Sequence, residues 1–468
     1  MNRPIRLVSI FTALLFAALL INITVNYVAR TDDLLADSRN VRVRDAQFGA
    51  PRGPILAANT PIVSNVETGE RPFAYQRTYL DGPVYAPITG YFSYIYGRSG
   101  IEDRYNAELV GQADSQFVTR LIDIVSGRQH QGGVVQTTIS PKIQQAAWDA
   151  LNGYKGAAMV LDYETGAVLA WVSTPSYDPS RLSDLSISST VEAWEEMMAD
   201  PSRPLNDRGA SEIYPPGSTF KMVVAAAALE KGYRPDTMID TPAQLRLPGT
   251  STDLPNEAPC GNDKKSLDEA FTLSCNTTFA NIGMDLGADV VRAQAEKFGF
   301  GTDLQSDFLT AASVFPSTVD SAQLAMSSIG QFDVAASPLQ MAVVAAGIAN
   351  EGRVMQPYVV SQIRTSNETI VSSHEPTLLS QAMTKDNAAT LAEMMGHVVT
   401  QGTGRGASVE GMHIAGKTGT AEHGRDADPY SWFAGFSRDS HVALAVFLEE
   451  PDGQVAANLA SQIFEATR

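Results

Sequence analysis

Cysteine is almost missing from this chain: among 468 residues there are two, Cys260 and Cys275. In a reducing compartment they would stay free thiols, whereas in an exported protein a single short-loop disulfide is the expected state. Histidine is scarce as well. The six histidines show no H-E-x-x-H or other metal-ligand spacing, so no metal site is expected. There is no G-x-S-x-G elbow either, which weighs against a Ser-His-Asp hydrolase. Basic charge is in deficit, 34 Lys+Arg against 52 Asp+Glu, for a net charge of −18. That balance argues against nucleic acid as a partner and against adhesion of the folded part to anionic headgroups.

Against these absences stand a hydrophobic content of 44% and a length that calls for two or three domains. Residues Leu7 to Val28 are nearly continuous apolar sequence, and roughly twenty such residues span a bilayer. Arg3 and Arg6 precede the run, and Arg30, Asp32 and Asp33 follow it, a bias that holds the N-terminus in the cytoplasm and exports the rest. The competing reading, a cleaved signal peptide, suits neither the length of the run nor Val28-Ala29-Arg30 as a cleavage site. The expected layout is a cytoplasmic tail (1–6), a transmembrane helix (7–28), a smaller mixed module (29–150) and a larger domain (151–468). In the mixed module Thr31 to Arg44 reads as a helical stalk. Arg52-Gly53-Pro54-Ile55-Leu56 and Gly82-Pro83 read as turns bounding short strands, and aromatic residues cluster between Phe73 and Tyr105. Nothing in the module pairs acids or gathers histidines, so it reads as non-catalytic.

The most informative stretch is Tyr214-Pro215-Pro216-Gly217-Ser218-Thr219-Phe220-Lys221, followed by the Ala-rich run to Leu229. Pro-Pro-Gly cannot be helical and the run after it favours helix, so a turn delivers Ser218 to the first turn of a buried helix. The helix dipole there favours developing negative charge. Lys221, three residues on, shares a face with Ser218. Beside Phe220 and Met222 its ammonium is disfavoured. To act as a base near neutral pH its pKa must fall by about three units, roughly 4 kcal/mol of differential solvation. The pair then reads as a hydroxyl nucleophile and a neutral amine; a helix start with a snorkelling lysine is the bland alternative.

Ser140-Pro141 opens an amphipathic helix with Ser140 as N-cap. Ala157–Leu161 and Ala167–Val172 read as strands joined by the hairpin loop 162–166. From Ser218 to about Asn350 the chain reads as mostly helical. Strands are expected again at 413–421, 431–436 and 442–448, then a helix over about 454–467. Strands at both ends of a helical middle imply an α+β domain whose sheet joins distant parts of the chain.

Two further motifs stand out. Ser274-Cys275-Asn276 follows a helix expected from Leu267, so that a hydroxyl and an amide could face a cleft; a turn or N-cap is the plain reading. In Ile414-Ala415-Gly416-Lys417-Thr418-Gly419-Thr420-Ala421, strand alternation puts Thr418 and Thr420 on one face beside Lys417, a ledge suited to a carboxylate. Gly419 would let a substrate backbone approach closely. Gly411 to Thr418 also matches the P-loop pattern, but Gly419, Gly424 and Pro429 follow where a P-loop needs a helix, and no strand offers a second magnesium ligand. Nucleotide binding is not expected, and no cofactor is.

Ser-x-x-Lys, Ser-x-Asn and Lys-Thr-Gly in this order resemble the penicillin-recognising serine acyltransferases. The surroundings of Ser218 and Lys417, Arg52-Gly53-Pro54-Ile55, Gly100-Ile101-Glu102-Asp103-Arg104-Tyr105-Asn106 and Asp162 to Ala170 are similar to class B penicillin-binding proteins of the penicillin-binding protein A branch. The resemblance implies an antiparallel sheet flanked by helices and a peptidoglycan D,D-transpeptidase of cell-wall synthesis and division, with β-lactams as covalent inhibitors. It implies acylation of Ser218 by a stem peptide, Lys221 as base, Ser274 and Asn276 as relay and backbone clamp, and Lys417 bonding Ser274. Thr418 and Thr420 would hold the terminal carboxylate, with Gly419 between them, and the N–H groups of Ser218 and Thr420 would form the oxyanion hole. Membrane glycosyltransferase, division or elongation proteins are the implied partners of the N-terminal module. Cys275 stands where class A β-lactamases have aspartate, and no Glu-x-x-x-Asn segment follows to activate a deacylating water, so hydrolysis is expected to be slow. A Cys260–Cys275 disulfide would brace the cleft and contribute on the order of 3 kcal/mol. The alternatives are a D,D-carboxypeptidase or β-lactamase, and a non-enzymatic β-lactam sensor or septal scaffold.

Overall fold

The computed structural model describes residues 3–36, 45, 48–69, 73–117, 122, 125–127, 131–304, 307–422, 428–449 and 453–468. The chain opens with one long helix, α1 (Arg3–Ala36), whose segment Arg3–Ala29 contains an 18-residue stretch of mean hydropathy 2.4 and is long and apolar enough to cross a membrane. Part of the expected stalk, residues 31–36, continues this helix, and the rest of it lies outside the described residues.

The N-terminal module is built on a six-stranded sheet. Its strands are β1 (Ile55–Ala57), β2 (Thr60–Glu67), β3 (Tyr75–Tyr79) and β4 (Val134–Thr137), joined by β7 (Val360–Arg364) and β8 (Ile370–Ser373), in the order β8-β7-β4-β1-β2-β3. Two strands of this sheet therefore come from within the sequence span of the larger domain and fasten the two together. Asp307 adds a second fastening: its carboxylate accepts from the Val359 and Val360 N–H groups (2.9 and 2.6 Å) and from the Tyr105 hydroxyl (3.2 Å).

The Arg52 and Glu102 motifs meet in the core of the module. Arg52 donates from Nε (3.0 Å) and Nη2 (2.7 Å) to Glu102 Oε2, Arg77 donates to Oε1, and Arg52 Nη1 reaches Asn106 Oδ1 at 2.8 Å. Burial alone would raise the Glu102 pKa, but Arg77 and Arg52 outweigh it and hold the carboxyl below the usual range. Removing one member of such a group would leave buried charge unpaired, so the cluster braces the module.

The larger domain is three-layered. Its antiparallel sheet runs β9-β10-β11-β5-β6, with β5 (Gly156–Asp162), β6 (Val168–Thr174), β9 (Ile414–Ala421), β10 (Tyr430–Ser437) and β11 (Val442–Leu448). The sheet thus joins the two ends of the domain, and the expected strands match it to within about two residues. The central strand β11, Val-Ala-Leu-Ala-Val-Phe-Leu, is buried on both faces. One face packs against α2 (Pro141–Ala150) and the C-terminal helix Gly453–Glu465. The other is covered by the buried helix α6 (Pro338–Ala349), against which the buried helix α3 (Lys221–Glu230) packs in turn. Ser140 does precede α2 at the N-cap position with proline at N1, but its side chain makes no capping bond.

The helical middle holds a departure from the sequence reading. Met238–Thr241 pairs with Asp263–Ser266 and Gln244–Arg246 with Asp253–Pro255, forming two short ribbons. Their strands are three or four residues long, polar and mostly exposed, so neither periodicity signals them.

Candidate active site

Ser218 lies in a 3-10 turn, Gly217–Phe220, and the α-helix proper begins at Lys221. The sequence placed Ser218 inside the α-helix; the tighter turn follows from Gly217, which adopts φ +52° and packs against β9. A Cβ at Gly217 would sit 2.3 Å from the Thr420 carbonyl oxygen, so only glycine allows this approach. Ser218 is partly exposed at the cleft floor, while Lys221 behind it is fully buried.

The second wall is the junction between α4 (Leu267–Leu273) and α5 (Asn276–Leu286). Ser274 caps α4 in the left-handed region (φ 63°), which turns its hydroxyl away from the helix and costs of order 1 kcal/mol or more. Asn276 opens α5. Lys221 Nζ lies 2.7 Å from Asn276 Oδ1, 2.9 Å from the Ser274 carbonyl oxygen and 3.3 Å from Ser274 Oγ. The Asn276 amide is oriented by its other end, which donates to the Pro255 carbonyl at 3.3 Å.

Strand β9 is the third wall and an edge of the five-stranded sheet. Lys417 Nζ donates to Ser274 Oγ (2.9 Å) and to the Thr418 carbonyl (3.1 Å). The Thr420 carbonyl points out of the sheet at Gly217. A residue's N–H and C=O leave a strand on the same side, so the Thr420 N–H is aimed into the cleft as well. The Thr418 hydroxyl is 2.6 Å from that of Thr403, a partner the sequence did not reveal because it sits in a loop with no pattern of its own. A Cβ at Gly419 would meet Pro216 O at 2.9 Å and the Thr219 backbone N at 3.1 Å, so this glycine admits the close approach of the nucleophile's own turn.

Electrostatics follow from burial. Lys221 is driven well below its ordinary pKa, first by desolvation and then by the Lys417 charge, with Glu257 pulling the other way. Lys417 is pushed down to about 7 by desolvation, again opposed by Glu257. Aromatic rings wall the two amines: Phe279 centres 5.7 Å from Lys221 Nζ and Phe271 5.9 Å from Lys417 Nζ.

The hydrogen bonds accommodate the neutral amine that burial favours at Lys221. A neutral Lys221 has two N–H donors for the two pure acceptors, Asn276 Oδ1 and Ser274 O, and a lone pair left for a hydroxyl proton. A charged Lys417 donates to Ser274 Oγ, whose own proton is then free to point at Lys221. Cys260 and Cys275 are joined by a disulfide across a sequence separation of 15, next to Ser274.

Comparison with known proteins agrees with this geometry. Residues 156–465 match the penicillin-binding protein transpeptidase domain and residues 52–135 the penicillin-binding protein A dimerisation domain. A protein of Mycolicibacterium smegmatis named peptidoglycan D,D-transpeptidase PbpA is 41% identical over 100% of this chain and 98% of its own. The crystal structure of PBPA from Mycobacterium tuberculosis superposes with a TM-score of 0.86 at 37% identity, covering 90% of this chain and 100% of that one. The same M. tuberculosis protein solved as a ceftriaxone acyl-enzyme gives a TM-score of 0.87 at 37% identity, covering 90% and 99%. A complete Ser-x-x-Lys, Ser-x-Asn and Lys-Thr-Gly cleft on this fold, matched over nearly the whole length of such relatives, places the chain in the penicillin-binding protein transpeptidase family, within its penicillin-binding protein A branch.

Proposed function

We propose that the chain is a penicillin-sensitive peptidoglycan D,D-transpeptidase working through a Ser218 acyl-enzyme. The observation that carries this reading is the continuous hydrogen-bonded chain from Lys417 through Ser274 Oγ to a Lys221 amine whose pKa burial lowers well below its ordinary value. In the proposed reaction Lys221 takes the Ser218 proton as Oγ attacks the penultimate D-Ala carbonyl of a stem peptide. Negative charge on the carbonyl oxygen is met by the N–H groups of Ser218 and Thr420, where one such donor is typically worth about 10²–10³ in rate. Lys417, Thr418 and Thr420 receive the terminal D-Ala carboxylate, with Gly419 keeping the turn and strand in register. Ser274 passes the proton to the departing D-Ala nitrogen, and Asn276 fixes Lys221 and the donor backbone. An amine of a second stem peptide then attacks the ester and regenerates Ser218. β-Lactams would acylate the same oxygen.

We further place α1 across the membrane with the N-terminus cytoplasmic, in line with Arg3 and Arg6 before the apolar run. The proposed units are the tail (1–6), the membrane helix (7–28), a pedestal (29–150) that also receives the strands of 360–373, and the transpeptidase domain (151–468). The pedestal is the proposed surface for glycosyltransferase, division or elongation partners. Mass spectrometry after penicillin treatment tests the core of the reading. The adduct is expected on the peptide holding Ser218 and is expected to vanish in Ser218→Ala; an adduct on another residue would overturn it. Product analysis with a stem-peptide donor and an added amine separates cross-linking from hydrolysis.

A further inference from the structure

One wall of the cleft bears a charge that the acylation chemistry leaves unused. Residues 253–260 run beside the Ser274–Asn276 junction and are fastened to it in succession. The Pro255 carbonyl accepts from Asn276 Nδ2 at 3.3 Å. Asn256 accepts from the Thr277 N–H at 3.0 Å and donates to Thr277 Oγ1 at 2.9 Å and to the Pro242 carbonyl at 3.0 Å. Cys260 closes the segment through its bond to Cys275. Between these fastenings stands Glu257, exposed to solvent. Its carboxylate reaches both buried amines electrostatically, opposing the loss of charge that burial imposes on Lys221 and Lys417.

The second half-reaction has a charge problem. Once D-Ala has left, the attacking group is an amine, which in neutral water is an ammonium, and it arrives at a cleft where Lys417, its pKa pushed down to about 7, still carries part of its positive charge. A held acid on the rim offsets that repulsion and concentrates the cation before it reacts. We propose that Glu257 is the acceptor subsite, the carboxylate that receives the primary ammonium of the incoming stem peptide on the Ser274–Asn276 side of the cleft; this rests on the transpeptidase reading above. The ammonium first releases one proton to water. The free amine attacks the ester carbon, its N–C bond forming as the bond from Ser218 Oγ breaks, and a second proton passes from nitrogen through Lys221 to Oγ. Glu257 forms no covalent bond and is a binding residue, acting on acceptor KM more than on kcat.

The test uses the full-length protein in detergent, a D-alanyl thioester as donor, and two acceptors: a peptide with a side-chain primary amine, and hydroxylamine, which is uncharged at neutral pH. Glu257→Gln is expected to raise KM for the peptide amine about fivefold, the scale of one exposed charge contact, and Glu257→Lys to raise it further. Hydroxylamine should show no such rise. Equal changes for both acceptors, or none for the peptide amine, would overturn the proposal while leaving the donor half intact. Failure of the wild-type protein to form an acyl-enzyme at Ser218 would instead remove the transpeptidase reading, and this one with it.

Discussion

Replacing Lys221 by arginine isolates the single feature on which the chemistry turns. The native amine is fully buried, with oxygens at 2.7, 2.9 and 3.3 Å, and desolvation lowers its pKa well below the ordinary lysine value. Arginine keeps a positive charge at any working pH and has no lone pair to offer Ser218. A general base is worth about 10²–10⁴ in rate, so the loss should fall near 3–5 kcal/mol of barrier at about 1.4 kcal/mol per tenfold. The assay is the second-order acylation constant for a fluorescent penicillin measured from about pH 5 to about pH 9. The wild-type rate should climb with pH as the amine loses its proton, with a limb well below the ordinary lysine value of 10.5. The variant should lie at least about a hundredfold lower and lose that limb. Since a guanidinium also strains a buried site, Lys221→Met serves as the neutral companion, expected to lose acylation while keeping its circular dichroism. Either variant acylating within about tenfold of wild type, with the wild-type pH limb, would refute the assignment of Lys221 as base.

Lys417 should set the opposite limb. Its amine, pushed down to about 7, is charged below that pH and neutral above it, so capture of a carboxylate-bearing donor should weaken as pH rises past 7. Lys417→Arg should move that decline to higher pH, which the pH profile of donor KM would reveal. In the pedestal, Glu102→Ala leaves Arg52 and Arg77 buried without their shared partner. Urea unfolding should then show a loss of about 3–5 kcal/mol in the transition of that module; a change under about 1 kcal/mol would refute the charge-pairing account.

What the sequence made legible was local. Pro-Pro-Gly before an Ala-rich run announces a turn into a helix, alternation around Lys417 announces a strand, and both stand where expected. The disulfide was accessible for a simple reason, since the chain offers only one possible pair. Features set by distant partners were not legible. Nothing in Val360–Arg364 tells that it will hydrogen-bond to Val134–Thr137, more than two hundred residues earlier, because strand pairing writes no signature into either strand. Asn256, which locks the loop below Ser274 to Thr277, looks like any loop asparagine. The left-handed backbone at Ser274 is invisible for the same reason: a serine is not the residue that normally marks such a position.

The close contact at Gly419 bears on how rate enhancement is built here. Electrostatic stabilisation of an oxyanion works when its donors are fixed before the reaction, so that no free energy goes into orienting them at the moment of charge development. Side-chain packing alone fixes such distances poorly, because rotamers adjust. In this cleft the nucleophile's turn meets strand β9 backbone to backbone. Gly217 presses on the Thr420 carbonyl, and Gly419 presses on Pro216 O and the Thr219 N. With no Cβ at either contact, the separation between the Ser218 turn and the Thr420 N–H is set by two stiff main chains. Strand β9 is in turn held along its whole length by β10, from Ile414 against Ser437 to Ala421 against Tyr430. The glycines thus pass the rigidity of a five-stranded sheet to a 3-10 turn that has little of its own. The same logic separates the two lysines: each is placed by its own element, Lys221 on a buried helix and Lys417 on the sheet edge, and Ser274 hydrogen-bonds to both. A proton path that crosses three independently braced elements can be exact in distance without any one of them being specialised for chemistry.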